Sequence, residues 1–228
     1  MKGNVGVIIA AAGSGRRLGG LHKPLIEVGG KPIIFQVASL FATLPNATVI
    51  CIVCQKSDSE IIRKSIQNIS FGGKWEIVEG GEERAYSVRN GFRAIRMFLK
   101  DDDYICIHDA ARPLLHIEDL KKVIEEADLY GGSFLAAPVK DTLKKSDGNG
   151  FSVETIKRDD VFAAQTPQVF RVELMDKAYS KVNDLRNITD EVMLMESLGI
   201  RVKIVPARHP NFKITTEEDV ELLRKITS

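Results

Sequence analysis

VGVIIAAAGSGRRLGGLHKPL, residues 5–25, is the stretch on which the reading of the chain turns. An apolar run from Val5 to Ala10 gives way at once to small residues and then to Arg16, Arg17 and Lys23. Such a run is too short to span a bilayer and reads as a buried strand. The small residues let a backbone come close to a ligand, and glycine adopts positive φ without strain. Successive amides in a turn of this kind form an anion-binding nest. Taken alone, a Gly-rich loop is also what any tight turn needs. The segment matches neither GxxxxGK[ST] nor a GxGxxG followed by a distant acidic residue.

Working outward, strand-like runs recur at 47–54 (ATVICIVC), 74–79 (KWEIVE), 104–108 (YICIH), 133–139 (SFLAAPV) and 201–207 (RVKIVPA). Segments of helical period lie between them, at 32–41, 58–69, 83–99 and 117–129, with further helices expected at 172–181, 190–198 and from about Thr216. Apolar runs without in/out alternation suit parallel strands covered on both faces. The expected fold class is therefore α/β, three layers around a mostly parallel central sheet, with the ligand site outside the carboxyl ends of the strands.

Lys140 to Arg158 breaks this rhythm. Two short strand-like pieces flank Asp147-Gly148-Asn149-Gly150, a turn-forming group. They carry many charges and few large apolar residues, so a projecting β-hairpin arm that needs a partner subunit to cover it is the expectation. The organisation expected is one domain over 1–228, with 138–160 as the arm.

Composition narrows the function classes. The 228 residues include 32 Lys plus Arg and 31 Asp plus Glu, a net charge of +1. That balance gives no general attraction for nucleic acid or an anionic membrane, while a local cationic cluster can still bind a small anion. A soluble, cytoplasmic protein is expected, because no apolar stretch reaches 18 residues and the odd cysteine count makes a poor disulfide framework. Cys51 and Cys54 form a CxxC, but a strand period of two puts them on opposite faces, as buried strand cysteines. His22, His108, His116 and His209 stand in unrelated contexts and suggest no zinc constellation.

Residues 10–25 resemble the signature of nucleotidyltransferases that activate sugar or polyol phosphates with a nucleoside triphosphate. The nearer resemblance is to the 2-C-methyl-D-erythritol 4-phosphate cytidylyltransferases of the non-mevalonate isoprenoid pathway. It continues through GGEERAYSV (80–88), HDAARP (108–113), APVKDTLK (137–144), TPQVF (166–170), ITDE (188–191) and NFKIT (211–215). One departure is His22, where the family usually has proline before the loop lysine.

The resemblance implies a Rossmann-like nucleotidyltransferase fold. It also implies transfer of the cytidylyl group of CTP to methylerythritol phosphate, with Mg²⁺ as cofactor and release of pyrophosphate. Ala11, Ala12, Gly13, Gly15, Arg17 and Lys23 would surround the triphosphate, and Gly81, Glu82 and Ser87 would approach the cytosine and ribose. Arg17, Lys23 and Lys213 would serve the reacting phosphates. Asp109 would hold a hydroxyl or Mg²⁺, the ion being carried mainly by phosphate and water. Arg112, Thr142, Arg158, Thr189 and Lys213 would bind the polyol phosphate, with Thr142 and Arg158 supplied by the arm of a second subunit in a homodimer. A pentitol-phosphate cytidylyltransferase and a non-catalytic nucleotide-binding regulator are the competing readings. Neither nucleic acid nor membrane is an expected partner.

Overall fold

A computed structural model describes residues 3–13 and 22–227. After β1 (Val5–Ala10), a small hairpin β2 (Glu27–Val28) and β3 (Lys31–Pro32) leads into α1 (Ile33–Ala42). Alternation then takes over: β4 (Ala47–Cys54), α2 (Ser59–Ile66), β5 (Lys74–Glu79), α3 (Arg84–Ile95), β6 (Tyr104–Asp109), α4 (Ile117–Tyr130) and β7 (Gly132–Pro138). A second hairpin, β8 (Leu143–Ser146) with β9 (Ser152–Ile156), precedes the long β10 (Phe162–Arg171). The chain closes with α5 (Val172–Lys181), α6 (Glu191–Glu196), β11 (Lys203–Pro206) and α7 (Glu217–Thr227).

Seven strands form the central sheet in the order β11-β7-β10-β6-β1-β4-β5. The pairs β1–β4, β1–β6, β4–β5 and β7–β11 are parallel. Only β10 runs against its neighbours, lying antiparallel to both β6 and β7. The expected mostly parallel sheet is present, with one strand the sequence pattern conceals. FAAQTPQVFR holds Pro167 and a run of polar residues, which argue against a central strand. The register shift between Ala164 and Gln168 accommodates them.

The period-two alternation of the strands builds two cores. Val5, Val7, Ile9, Ile50, Ile52, Cys54 and Cys106 face α1 and α4 on one side. Ile8, Val49, Cys51, Val53, Ile105 and Ile107 face α3 and α5 on the other. Each fully buried Ile contributes about 1.5–3 kcal/mol through removal of apolar surface from water. Cys51 and Cys54 thus sit on opposite faces, both buried and unpaired, and Cys106 is likewise a free buried thiol. Burial pushes Cys51 to about 12 and Cys54 to about 11, which leaves both inert as thiols near neutrality. Among the described residues, no helix is long and apolar enough to cross a membrane.

Residues 140–158 form the expected hairpin. Its turn uses positive φ at Gly148 and Gly150, and Asp147 Oδ1 accepts the Asn149 amide at 2.8 Å. β7 and β10 extend past the sheet edge to carry it, so the arm leaves from the same edge as the carboxyl ends of β1 and β6. Phe151 and Val153, 72% and 59% exposed, are apolar side chains that this chain leaves uncovered.

Candidate active site

A cleft of about 480 Å³ opens at the carboxyl ends of β1 and β6. Ala11, Ala12 and Gly13 form one wall as they leave β1, and Gly81, Glu82 and Ser87 form another. Lys23, Asp109 and Lys213 complete it. These nine residues, all named from the sequence, line one cleft. Gly15 and Arg17 lie outside the described residues.

The turn before α3 depends on close approach. A Cβ at Gly80 would stand 2.4 Å from Ala12 Cβ, so only glycine lets the two walls meet here. The Gly81 amide donates to Ser87 Oγ at 3.0 Å, and that hydroxyl donates to the Glu83 carbonyl at 3.0 Å. Ser87 therefore shapes the turn that would face a base. α3 begins at Arg84, with Glu83 as its N-cap, so neither Glu82 nor Glu83 occupies the first helical turn. The expected helix over 83–99 also stops at Ile95, where a 3₁₀ turn over Arg96–Phe98 takes over.

Arg84 is the residue the sequence reading misses. A cation in the first turn of a helix opposes the positive end of the helix dipole. Here two carboxylates compensate: Arg84 Nε donates to Asp109 Oδ1 at 2.8 Å, and Nη1 donates to Glu191 Oε2 and Oε1 at 2.8 and 3.1 Å. Lys213 Nζ holds the other oxygen of Asp109 at 2.7 Å. Burial alone would raise Asp109, but Arg84 and Lys213 together outweigh it and hold this carboxyl well below the ordinary range. For Glu191, 1% exposed, burial prevails over Arg84 and the carboxyl is raised. A basic residue at the first helical position after GGEE is the signal that could have exposed this network.

β10 builds the floor. The Asp109 amide donates to Thr166 Oγ1 at 3.0 Å, and Thr166 lies 3.1 Å from His108 Nδ1. His108 Nε2 sits 3.0 Å from the Arg112 carbonyl, which assigns the proton to Nε2 and makes Nδ1 the acceptor. Burial pushes His108 down to about 4, so it stays neutral and supports Asp109 from below. Gln168 accepts the Glu191 amide at 3.0 Å and donates to Asp190 at 3.1 Å, fixing α6 and the carboxylate it presents to Arg84.

The remaining cations are held by the segment after β11. Lys23 Nζ donates to the Ile214 carbonyl at 3.0 Å, and Arg112 Nη1 donates to the Asn211 carbonyl at 2.8 Å. Arg112 is not among the residues lining the cleft; its bond braces the strand of chain leading to Lys213. Thr189 is exposed beside α6, and Thr142 and Arg158 are exposed in the arm, outside the cleft of their own chain. Arg158 meets the Lys140 carbonyl within the arm.

A mostly parallel α/β sheet whose carboxyl edge offers a small-residue segment and converging lysines defines a Rossmann-like nucleotidyltransferase. The model of the 2-C-methyl-D-erythritol 4-phosphate cytidylyltransferase family matches residues 5–227. The chain belongs to that family. Its relatives include the Caldanaerobacter subterraneus enzyme of that name, 36% identical over 220 residues, covering 95% of this chain and 96% of the relative. The chloroplastic enzyme of Oryza sativa is 34% identical over 225 residues, covering 98% of this chain and 74% of the relative. Among solved structures, the 4-diphosphocytidyl-2C-methyl-D-erythritol synthase of Anaerococcus prevotii aligns with a TM-score of 0.84 at 29% identity, over 98% of this chain and 96% of that one. The Francisella tularensis cytidylyltransferase aligns at 0.78 and 29%, over 96% and 97%.

Proposed function

We propose that this chain transfers the cytidylyl group of CTP to 2-C-methyl-D-erythritol 4-phosphate, giving 4-diphosphocytidyl-2-C-methyl-D-erythritol and pyrophosphate. The observation that carries the reading is the meeting of Lys23, Lys213 and the small-residue segment Ala11–Gly13 in one cleft at the end of β1 and β6. The acceptor phosphate attacks the α-phosphorus, and the bond to the β-phosphate bridging oxygen breaks. A phosphate monoester has a second pKa near 6, so it attacks as a dianion without a general base. The barrier is the approach of two anions and the charge on the transferring group, which converging cations lower.

In this reading Lys23 and Arg17 neutralise the triphosphate, and Ala11, Ala12, Gly13 and Gly15 are the residues that contact it. Lys213 is aimed by Asp109 and has further N–H donors for phosphate oxygens. Gly81, Glu82 and Ser87 form the base-reading turn. Mg²⁺, when bound with the triphosphate, supplies further charge neutralisation. Asp109 fits it, because this ionised carboxylate in the cleft has lone pairs beyond those engaged by Arg84 and Lys213. Arg112 and Thr189 belong to the polyol-phosphate side in this reading.

The arm joins a second copy of the chain. Its exposed Phe151 and Val153 need a cover, and Thr142 and Arg158 then reach the neighbouring cleft. Residues 138–160 are thus a dimerisation and substrate arm on a single domain.

Pyrophosphate release tests the assignment, with CTP, UTP and ATP each paired with methylerythritol phosphate and ribitol 5-phosphate. Turnover should require CTP and prefer methylerythritol phosphate, since an unpaired polar group at the base site costs about 1–3 kcal/mol. Equal kcat/KM for CTP and UTP defeats the cytidylyl assignment. A preference for ribitol phosphate transfers it to the pentitol class.

A further inference from the structure

The fold unites two histidines that are remote in sequence and lie outside the cleft. His116, the N-cap of α4, and His209, in the segment after β11, stack with ring centroids 3.7 Å apart and planes inclined by 21°. Glu118 Oε2 lies 4.0 Å from His209 Nε2. One ligand atom from each of His116, Glu118 and His209 falls within 4.8 Å of the other two.

The outer partner of His209 is a separate observation. Asp119, 2% exposed, accepts the backbone amides of Arg208 and His209 at 3.3 and 3.1 Å, and its Oδ2 lies 3.2 Å from His209 Nδ1. With Nδ1 donating to this buried carboxylate, Nε2 is the ring nitrogen left for a ligand, and it lies 4.0 Å from Glu118 Oε2. A free ring nitrogen and a carboxylate at this separation call for a cation between them. A carboxylate bonded to the far nitrogen of a metal-binding histidine is the usual way in which proteins fix the tautomer and raise its basicity.

We propose that His116, His209 and Glu118 form a binding site for a divalent transition ion of the Zn²⁺ type, with Asp119 as the orienting carboxylate. Two imidazoles and one carboxylate suit Zn²⁺, Ni²⁺ or Cu²⁺ and do not suit Mg²⁺, which separates this site from nucleotide-bound magnesium. Three protein ligands leave a fourth position for water. The stacked rings must splay to aim both nitrogens at one ion. Little opposes that at His116, whose Nδ1 accepts only a 3.3 Å bond from the Glu118 amide. A bound ion would tie the start of α4 to the segment that continues to Asn211 and Lys213.

Isothermal titration of the chelator-stripped full chain with ZnCl₂, without nucleotide, tests the site, and Co²⁺ absorbance reports its coordination. The expected result is one ion per chain. His209→Ala and His116→Ala should each greatly weaken binding, and Asp119→Asn should weaken it by about 10–100-fold although Asp119 does not touch the ion. Asp109→Asn, in the cleft, should leave it unchanged. Absence of binding overturns the proposal. Binding that survives both histidine changes, or that disappears in Asp109→Asn, overturns it too. Should the alanine variants fail to fold, the surface pair His116→Gln with Glu118→Gln decides: zinc affinity equal to wild type in that folded double variant refutes the site.

Discussion

Replacing Arg84 with Ala isolates the buried charge network. Both oxygens of Glu191 are bonded by Arg84, and at 1% exposure Glu191 has no water to turn to. Asp109 keeps Lys213, so Glu191 is the group left uncompensated. Removing one partner of a buried ion pair destabilises by about 3–5 kcal/mol. At about 1.4 kcal/mol per factor of ten, the unfolding constant should rise by at least 100-fold. Urea denaturation followed by circular dichroism measures this as a lower midpoint at unchanged slope.

The pH dependence has a definite sign. In the wild type, the lowered Asp109 contributes stability that is present above the ordinary carboxylate range and is lost as pH falls below it. In the variant, Glu191, already raised by burial, loses the Arg84 guanidinium and rises further; its contribution is present at low pH and is lost as pH rises through the folded-state value. Both effects make the deficit shrink on acidification. Arg84→Met combined with Glu191→Leu should recover most of the loss, since a buried pair replaced by apolar side chains is often neutral. A deficit below about 1 kcal/mol at neutral pH, the value of a mere surface pair, or one unchanged toward acid, refutes the reasoning.

Three further outcomes are expected. Lys23→Ala should lower kcat/KM for CTP by roughly 10²–10⁴, the scale of one strong electrostatic contact in a transition state, and near-normal turnover of the folded variant removes Lys23 from the mechanism. Gly80→Ala drives a methyl group to 2.4 Å from Ala12 Cβ, so it should raise KM for CTP and destabilise by about 1–3 kcal/mol; unchanged kinetics and melting show that the two walls can part. Mixing inactive Lys213→Ala with inactive Arg158→Ala should restore turnover after subunit exchange, because with arms exchanged as proposed one of the mixed sites would hold both residues. Heterodimers verified by mass spectrometry that stay inactive count against arm exchange.

Much of this architecture was legible because burial on both faces leaves a plain mark: VGVIIA and ATVICIVC read as parallel strands, and Asp147–Gly150 reads as a hairpin turn. The cleft residues from Ala11 to Gly13, with Lys23, Asp109 and Lys213, were legible through the Gly-rich turn and the resemblance. What stayed hidden depends on contacts distant in sequence. Pro167 and its polar neighbours mask β10, although that strand supplies Thr166 and Gln168 to the floor of the site. Arg84 and Glu191 look like surface charges until α3 and α6 meet, 107 residues apart. His116 and His209 likewise share no local pattern, and the expectation that the histidines stay scattered fails for this pair.

The three thiols give the molecule an internal clock of its own opening. Cys51 lies under α3, while Cys54 and Cys106 lie under the opposite helical layer. In the native state none is accessible to an alkylating reagent, so the labelling rate of each measures how often its own layer lifts from the sheet. The same silence makes the surface easy to mark: with the native cysteines screened, Ser152→Cys in the arm offers one reactive position for a fluorophore, without first removing any natural thiol.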